Sequence, residues 1–184
     1  MAHPKTRNAW RAWLERHHAT SSGVWLVSFR KETEKPRVEY PEAVEEALCF
    51  GWIDSKSTRL DDERTLLWMS PRKPGSGWSR SNKERVARLE RDGLMADAGR
   101  AAVEAAKRSG AWSALDSVEA LEVPDDLAAA FARDRTAKAN YDAFPPSSRK
   151  LILAWIASAK RPETRAKRIQ ETVRLAAQNI RANQ

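Results

Sequence analysis

The residues best suited to bind a ligand lie in one basic segment, Ser70-Pro71-Arg72-Lys73-Pro74-Gly75-Ser76-Gly77-Trp78-Ser79-Arg80. Arg72 and Lys73 place two cations side by side, and a guanidinium can fork onto a phosphate or a carboxylate. Trp78 offers an aromatic face that can stack on a ring. The segment therefore predicts a binding site for an anionic small molecule or for an anionic group on a protein partner.

The backbone of this segment favours the same function. Gly75 and Gly77 allow the chain to approach a ligand closely, and Ser79 leads into a helix start, where unpaired amides attract anions. The alternative interpretation is a rigid connection that Trp78 holds to the core, with Arg72 and Lys73 in solvent. Both interpretations are open at this point.

Carboxylates suggest an enzyme as a further alternative. Such an enzyme would use four carboxylates and one arginine, provided that they meet in one cleft: Glu42, Glu45, Glu46, Asp54 and Arg72. However, glutamates in the first turns of a helix already stabilise its macrodipole. The sequence therefore favours a protein without catalytic activity and leaves an enzyme open as an alternative.

Several common functional classes leave no trace in the sequence. It contains no glycine-rich nucleotide loop, no zinc-ligand spacing and no nucleophile elbow, so we expect neither a metal nor another cofactor. Cys49 is the single cysteine; it excludes an internal disulfide framework and fits a reducing cytoplasm. Its place at the end of a predicted helix favours a buried, unreactive thiol.

The elements that must position these residues follow from the hydrophobic pattern. Val24–Arg30 is short, β-branched and aromatic, which predicts a buried strand. Residues 52–60 and 65–70 predict two further strands, joined as a hairpin by Asp61-Asp62-Glu63-Arg64. A capping box, Ser81-Asn82-Lys83-Glu84, predicts that a helix begins there.

Together these elements predict an α+β, helix-rich chain. We expect a small antiparallel sheet with helices in the N-terminal half and an all-helical C-terminal half. The predicted domains are an α+β unit over residues 1–93, which includes the hairpin and the basic loop, and a helical module over residues 94–184. No run approaches the roughly 20 apolar residues that a membrane span needs, and no signal peptide is visible, so the expected location is the cytoplasm.

Charge is distributed unevenly along the chain. The 184 residues include 33 Lys and Arg against 25 Asp and Glu, a net charge of +8, and residues 149–184 alone carry nine basic and two acidic side chains. On the last predicted helix, Lys167, Arg174 and Arg181 recur every seven residues as a basic stripe. Nucleic-acid binding is therefore an alternative function. A solvated helix face explains the same pattern, and no nucleic-acid-binding motif is recognisable.

Three strings resemble a known family. They are Glu42–Asp54 (EAVEEALCFGWID), Ser70–Ser79 (SPRKPGSGWS) and the stretch from Val123 to Arg165. They resemble the bacterial YdeI/OmpD-associated family, also called bacteriocin-protection proteins, over nearly the whole chain. The resemblance implies a bacterial cytoplasmic protein linked to envelope stress, and it implies no catalytic residues. The family's recurrent strings add Trp52 and Asp54 to the expected ligand contacts.

Overall fold

The computed structural model describes residues 1–183 of the 184-residue chain. These residues divide into two units: one spans Met1–Ala114, and the other begins at Leu115. The N-terminal unit combines helices with a three-stranded sheet, and the described part of the C-terminal unit is helical without strands. The predicted α+β class is therefore confirmed.

The N-terminal unit alternates helices and strands before it ends in two helices. In chain order its elements are α1 (Arg7–His17), β1 (Val24–Phe29), a short 3-10 helix (Lys31–Thr33), α2 (Tyr40–Cys49), β2 (Trp52–Arg59), β3 (Arg64–Pro71), α3 (Arg80–Arg91) and α4 (Asp97–Ser109).

The sheet is antiparallel, with the strand order β1-β3-β2. The predicted hairpin is confirmed as β2 and β3, and its turn is stabilised by Asp61, whose carboxylate accepts the Arg64 amide at 2.8 Å. On the other side of β3, Leu26 of β1 pairs with Leu67. β3 thus becomes the central strand because β1 pairs with its free edge.

Tryptophan forms much of the core of the N-terminal unit. Trp10, Trp52 and Trp78 are at most 1 % exposed. The Trp10 indole donates to the Ala43 carbonyl oxygen at 3.1 Å, which joins α1 to α2. Each buried aromatic side chain removes about 150–250 Å² from water. These indoles therefore hold together the elements that carry the basic loop.

The two helices that flank the strands β2 and β3 begin at identifiable caps. At α2, Glu39 and Glu42 form a reciprocal capping box. At α3 the N-cap is Ser79, whose hydroxyl accepts the Asn82 amide at 3.3 Å. The predicted start at Ser81 is therefore wrong, because the extended backbone of Ser79 already lets the helix begin at Arg80.

The first unit extends to Ala114 because α4 packs against the end of α2. A Cβ placed on Gly99 would contact the Cys49 carbonyl oxygen and would lie 2.8 Å from the Leu48 oxygen. Only glycine permits this backbone approach. Ala111 also lies in the core of the unit. The division therefore falls later in the chain than the boundary expected after residue 93.

The C-terminal unit contains five helices within the described residues. They are α5 (Asp116–Glu119), α6 (Asp125–Phe131), α7 (Arg135–Ala143), α8 (Pro146–Ala157) and α9 (Pro162–Ala177). Its core includes Leu127, Phe131, Tyr141 and Ile152, each at most 1 % exposed. Across residues 1–183, no helix has the length and apolar character required to cross a membrane.

Candidate functional site

Arg72 lies where β3 ends and the basic loop begins. Its amide donates to the Gly51 carbonyl oxygen at 3.0 Å. Its guanidinium carbon lies 3.8 Å from the centre of the Trp78 ring, and Nη2 donates to the Gly77 carbonyl oxygen at 2.7 Å. The side chain is therefore held against the protein, unlike the solvated arginine of the alternative interpretation.

The Arg72 side chain is half-buried, and its guanidinium has no counter-ion. Its Nε and Nη1 atoms are buried and have no hydrogen-bond partner. No carboxylate within residues 1–183 lies at ion-pair distance from it. Burial lowers the pKa of Arg72 to about 10, and attraction to Asp54 opposes this shift. The group remains protonated at neutral pH, and each unpaired buried nitrogen costs roughly 1–3 kcal/mol.

A cavity of about 330 Å³ lies between the loop and α4. The loop contributes Arg72, Trp78 and the residues from Lys73 to Ser76. The opposite wall is formed by small side chains: Ala102, Ala105, Ala106, Ser109 and Ala111. Because alanine side chains fill little space, they leave an apolar hollow beside the cation. This hollow can accommodate a compact apolar group that carries a negative charge.

Most predicted loop residues belong to this cavity. Lys73 and Gly75 line it, and Lys73 is exposed. Gly77 contributes through the carbonyl oxygen that accepts from Arg72. Ser79 instead caps α3 through its hydroxyl, so it does not line the cavity. The predicted guanidinium fork is also restricted, because Nη2 already donates within the loop.

The other two predicted contacts, Trp52 and Asp54, lie elsewhere. The Trp52 ring is 1 % exposed, and its Nε1 donates to the His18 carbonyl oxygen at 3.2 Å. Asp54 accepts a hydrogen bond from the Tyr40 hydroxyl at 2.9 Å and lines a different cleft. The structure therefore brings the loop residues together at the cavity, whereas Trp52 and Asp54 do not line it.

The glutamates of the enzyme alternative have structural partners. Glu46 is 3 % exposed and pairs with Arg7 at 2.6 Å and Arg11 at 2.8 Å. Glu45 pairs with Arg7 at 3.1 Å and also with Arg88. Glu42 accepts a backbone amide in the α2 capping box, and none of the three lines the Arg72 cavity. The shared cleft that this alternative requires does not exist.

The predicted basic stripe is shorter than expected. Because α9 ends at Ala177, Arg181 lies beyond the helix. Arg174 pairs with Glu171 at 2.8 Å, which neutralises its charge locally. Lys167 and Arg174 border a shallow depression beside Trp155. The arrangement matches a solvated helix face better than a surface built to contact phosphates.

Sequence reasoning missed the contribution of α4 to the cavity. The sequence feature that pointed to this contribution is the alanine-rich stretch from Ala101 to Ala106. It indicates that α4 packs closely on a neighbour but not which neighbour that is. The long-range approach of Gly51 to Ala98 and Ala102 brings α4 beside the loop.

Among residues 1–183, no three His, Cys, Asp or Glu side chains are grouped so as to hold a metal ion.

Two family models match the chain. Residues 2–102 match a domain of unknown function, DUF8412. Residues 120–179 match the family described as bacteriocin-protection, YdeI or OmpD-associated, which confirms the resemblance in the C-terminal half. The strings Glu42–Asp54 and Ser70–Ser79 fall within the first match. No curated protein and no solved structure matches the chain.

Proposed function

The chain belongs to the DUF8412 family, whose function is unknown, and we propose that its N-terminal unit is a binding module for a small anionic ligand. One observation carries this proposal: the Arg72 guanidinium has two buried nitrogens without partners beside a cavity of about 330 Å³. Burying an unpaired charge is costly. A bound anion would supply the missing counter-charge and hydrogen-bond acceptors.

The cavity also restricts the class of ligand. Its walls are mostly alanine and Trp78, with Arg72 as a half-buried cation and Lys73 exposed at the loop. A carboxylate or phosphate attached to a compact apolar or aromatic group matches these walls. Its volume lies near the lower end of the range of about 300–1,000 Å³ found for small-molecule sites.

Entry to the site requires the loop to move, because the unpaired nitrogens are shielded from solvent. Pro74 and Gly75 are exposed. Gly75 has a φ of +78° and no neighbouring atom within 4 Å of an added Cβ. The outer part of the loop is therefore free of packing contacts at this position, and its opening would admit the ligand.

The test is binding of sulfate, inorganic phosphate, benzoate and phenyl phosphate, measured by calorimetry and thermal shift. We expect Arg72→Met to weaken binding at least about tenfold, since a hydrogen bond to a charged group contributes roughly 1.5–3 kcal/mol. Lys73→Ala should weaken it by a smaller factor. Arg91→Met is the matched control, because Arg91 is exposed on α3.

Two outcomes would contradict this proposal: none of the four probes binds, or Arg72→Met binds them as tightly as the unmodified protein. If a probe binds, a concentration of about 100 times its Kd should raise the free energy of unfolding by roughly 2.7 kcal/mol. That gain should disappear in Arg72→Met and persist in Arg91→Met.

We further propose that this binding serves protection against bacteriocins or envelope stress from within the cytoplasm. The support is the match of residues 120–179 to the bacteriocin-protection family. A strain that lacks the protein should become more sensitive to bacteriocin. The unmodified chain should restore resistance, whereas the Arg72→Met chain should not. If both chains restore resistance equally, the cellular role does not depend on the anion site.

A further inference from the structure

A second cleft in the N-terminal unit, of about 600 Å³, shares no lining residue with the Arg72 cavity. Its floor includes the paired residues Leu26 and Leu67 of β1 and β3. Its rim is formed by residues 30–32 and 37–40, which lead from β1 into α2. Small side chains on the neighbouring strand positions leave the space open.

The cleft is rich in hydroxyl groups. The strands contribute four of them: Ser28, Ser55, Ser57 and Thr65. At the rim, the Tyr40 hydroxyl donates to Asp54 Oδ2 at 2.9 Å. Within the described part of the chain, no donor reaches the other carboxylate oxygen of Asp54. One strong acceptor is therefore available next to several groups that can both donate and accept.

Tyr40 combines two properties that suit a ligand contact. Its side chain is 54 % exposed although its hydroxyl is fixed on Asp54. Burial and the adjacent carboxylate raise the pKa of Tyr40, so the hydroxyl remains a donor at neutral pH. Its ring is held in place and presents an apolar surface to the cleft.

The charges around the cleft balance each other. Three cations and three anions line it: Arg30, Lys31, Arg37, Glu32, Glu39 and Asp54. Arg37 pairs with Glu39 at 2.6 Å, and Arg30 pairs with Glu32 at 3.4 Å. No net charge is left to attract an ion, in contrast to the Arg72 cavity. The ligand that matches this lining is polar but uncharged.

We propose that this cleft binds a small hydroxyl-rich ligand, a sugar or a polyol. The free oxygen of Asp54 accepts hydrogen bonds from ligand hydroxyls, the strand hydroxyls complete the polar contacts, and the Tyr40 ring packs against the ligand's C–H face. Carboxylate acceptors form the stronger, charge-assisted class of hydrogen bond, so Asp54 is the main determinant of affinity.

The experiment uses the full chain with D-glucose, D-galactose, N-acetyl-D-glucosamine and glycerol, observed by saturation-transfer NMR and calorimetry. We expect at least one of them to bind. Asp54→Asn should weaken that binding about tenfold or more, as the loss of a hydrogen bond to a charged group implies. Tyr40→Phe should weaken binding less, because this variant keeps the ring and loses only the hydrogen bond to Asp54. Asp92→Asn, at an exposed position, is the matched control.

The outcomes separate this inference from the anion site. Arg72→Met should bind the sugar normally even if it loses every anion. The inference is overturned if none of the four probes binds, if ethanolamine binds and they do not, or if Asp54→Asn binds them as well as the unmodified chain. Circular dichroism and urea unfolding check that each variant is folded. If Asp54→Asn does not fold, Tyr40→Phe, at an exposed position, is the second variant.

Discussion

The substitution Arg72→Met distinguishes two possible roles of Arg72: binding a ligand, or only holding the loop in place. It removes the two buried nitrogens without partners, which cost about 2–6 kcal/mol together. It also removes the bond to the Gly77 carbonyl oxygen, worth roughly 1.5–3 kcal/mol. The stacking on Trp78, worth roughly 0.5–2 kcal/mol, is lost as well. These contributions nearly cancel, so the free energy of unfolding should stay within about 1 kcal/mol of the unmodified value or rise.

The matched comparison is Arg11→Met, because each guanidinium nitrogen of Arg11 has a partner. Arg11 donates to Glu46 at 2.8 Å and to the Leu94 carbonyl oxygen at 3.0 Å. Its loss leaves a carboxylate that is 3 % exposed with one partner fewer. Because Arg7 still pairs with Glu46 and Arg11 is partly exposed, we expect a loss of roughly 1–3 kcal/mol.

The assay is urea unfolding followed by tryptophan fluorescence. Seven of the eight tryptophans lie in the N-terminal unit and only Trp155 lies in the other, so the signal reports mainly the unit that contains Arg72. A loss of more than about 2 kcal/mol in Arg72→Met would refute the reasoning. Such a loss would identify the guanidinium as a structural anchor of the loop.

The same pair of proteins provides a pH test. The pKa of Arg72 is lowered to about 10 in the folded protein by burial, so charging the group opposes folding at every pH below that value. The penalty is relieved as the pH rises through the folded pKa. Between about pH 9 and pH 11, the stability of the unmodified chain should therefore rise relative to Arg72→Met. An unchanged difference would contradict a buried, unpaired cation.

Three other perturbations test the packing that surrounds the sites. Gly99→Ala should destabilise the N-terminal unit by roughly 1–3 kcal/mol in urea unfolding, because the new Cβ would meet the Cys49 and Leu48 carbonyl groups. The Cys49 thiol should resist a disulfide reagent until the chain unfolds, because burial raises its pKa to about 11 and the residue is 0 % exposed. In the C-terminal unit, the Arg165 guanidinium lowers the pKa of Asp126. Asp126→Asn should therefore cost about 0.5–1 kcal/mol near neutral pH and should lose less stability than the unmodified chain as the pH falls below about 4.

Each of these three expectations has a control or a contrary result. Gly110→Ala changes a glycine with a φ of +79° and open space around it, so it should cost only the backbone strain of about 1 kcal/mol. Rapid modification of native Cys49 would show that α4 opens readily. If Asp126→Asn and the unmodified chain lose stability equally in acid, Asp126 is not a source of the acid sensitivity.

Much of the local structure was predictable because it depends on short-range patterns. Trp10 and Leu14 lie four residues apart on the buried side of α1, which is helical spacing. The helices α3 and α4 end next to Gly93 and Gly110, whose φ values are positive. The start of α3 was placed two residues late. Ser79 and Ser81 are both good caps, and only the path of the preceding loop selects between them.

The candidate sites were predictable only in part, since they depend on contacts between distant residues. The basic loop was identified from its own composition, and Arg72, Lys73 and Gly75 do line one cavity. Its opposite wall comes from α4, about thirty residues later in the chain. Asp54 was singled out as well, but the tertiary structure pairs it with Tyr40 in another cleft.

By itself the sequence determined the α+β class, the hairpin and the position of the cationic loop, because periodicity, glycine placement and charge act over a few neighbouring residues. Only the tertiary structure decided that β1 joins the free edge of β3 and that Glu46 pairs with two arginines. It also decided that two buried nitrogens of Arg72 are left without a partner. Counter-ions and cavity walls are supplied across long stretches of chain, so no local pattern encodes which charge is left unpaired.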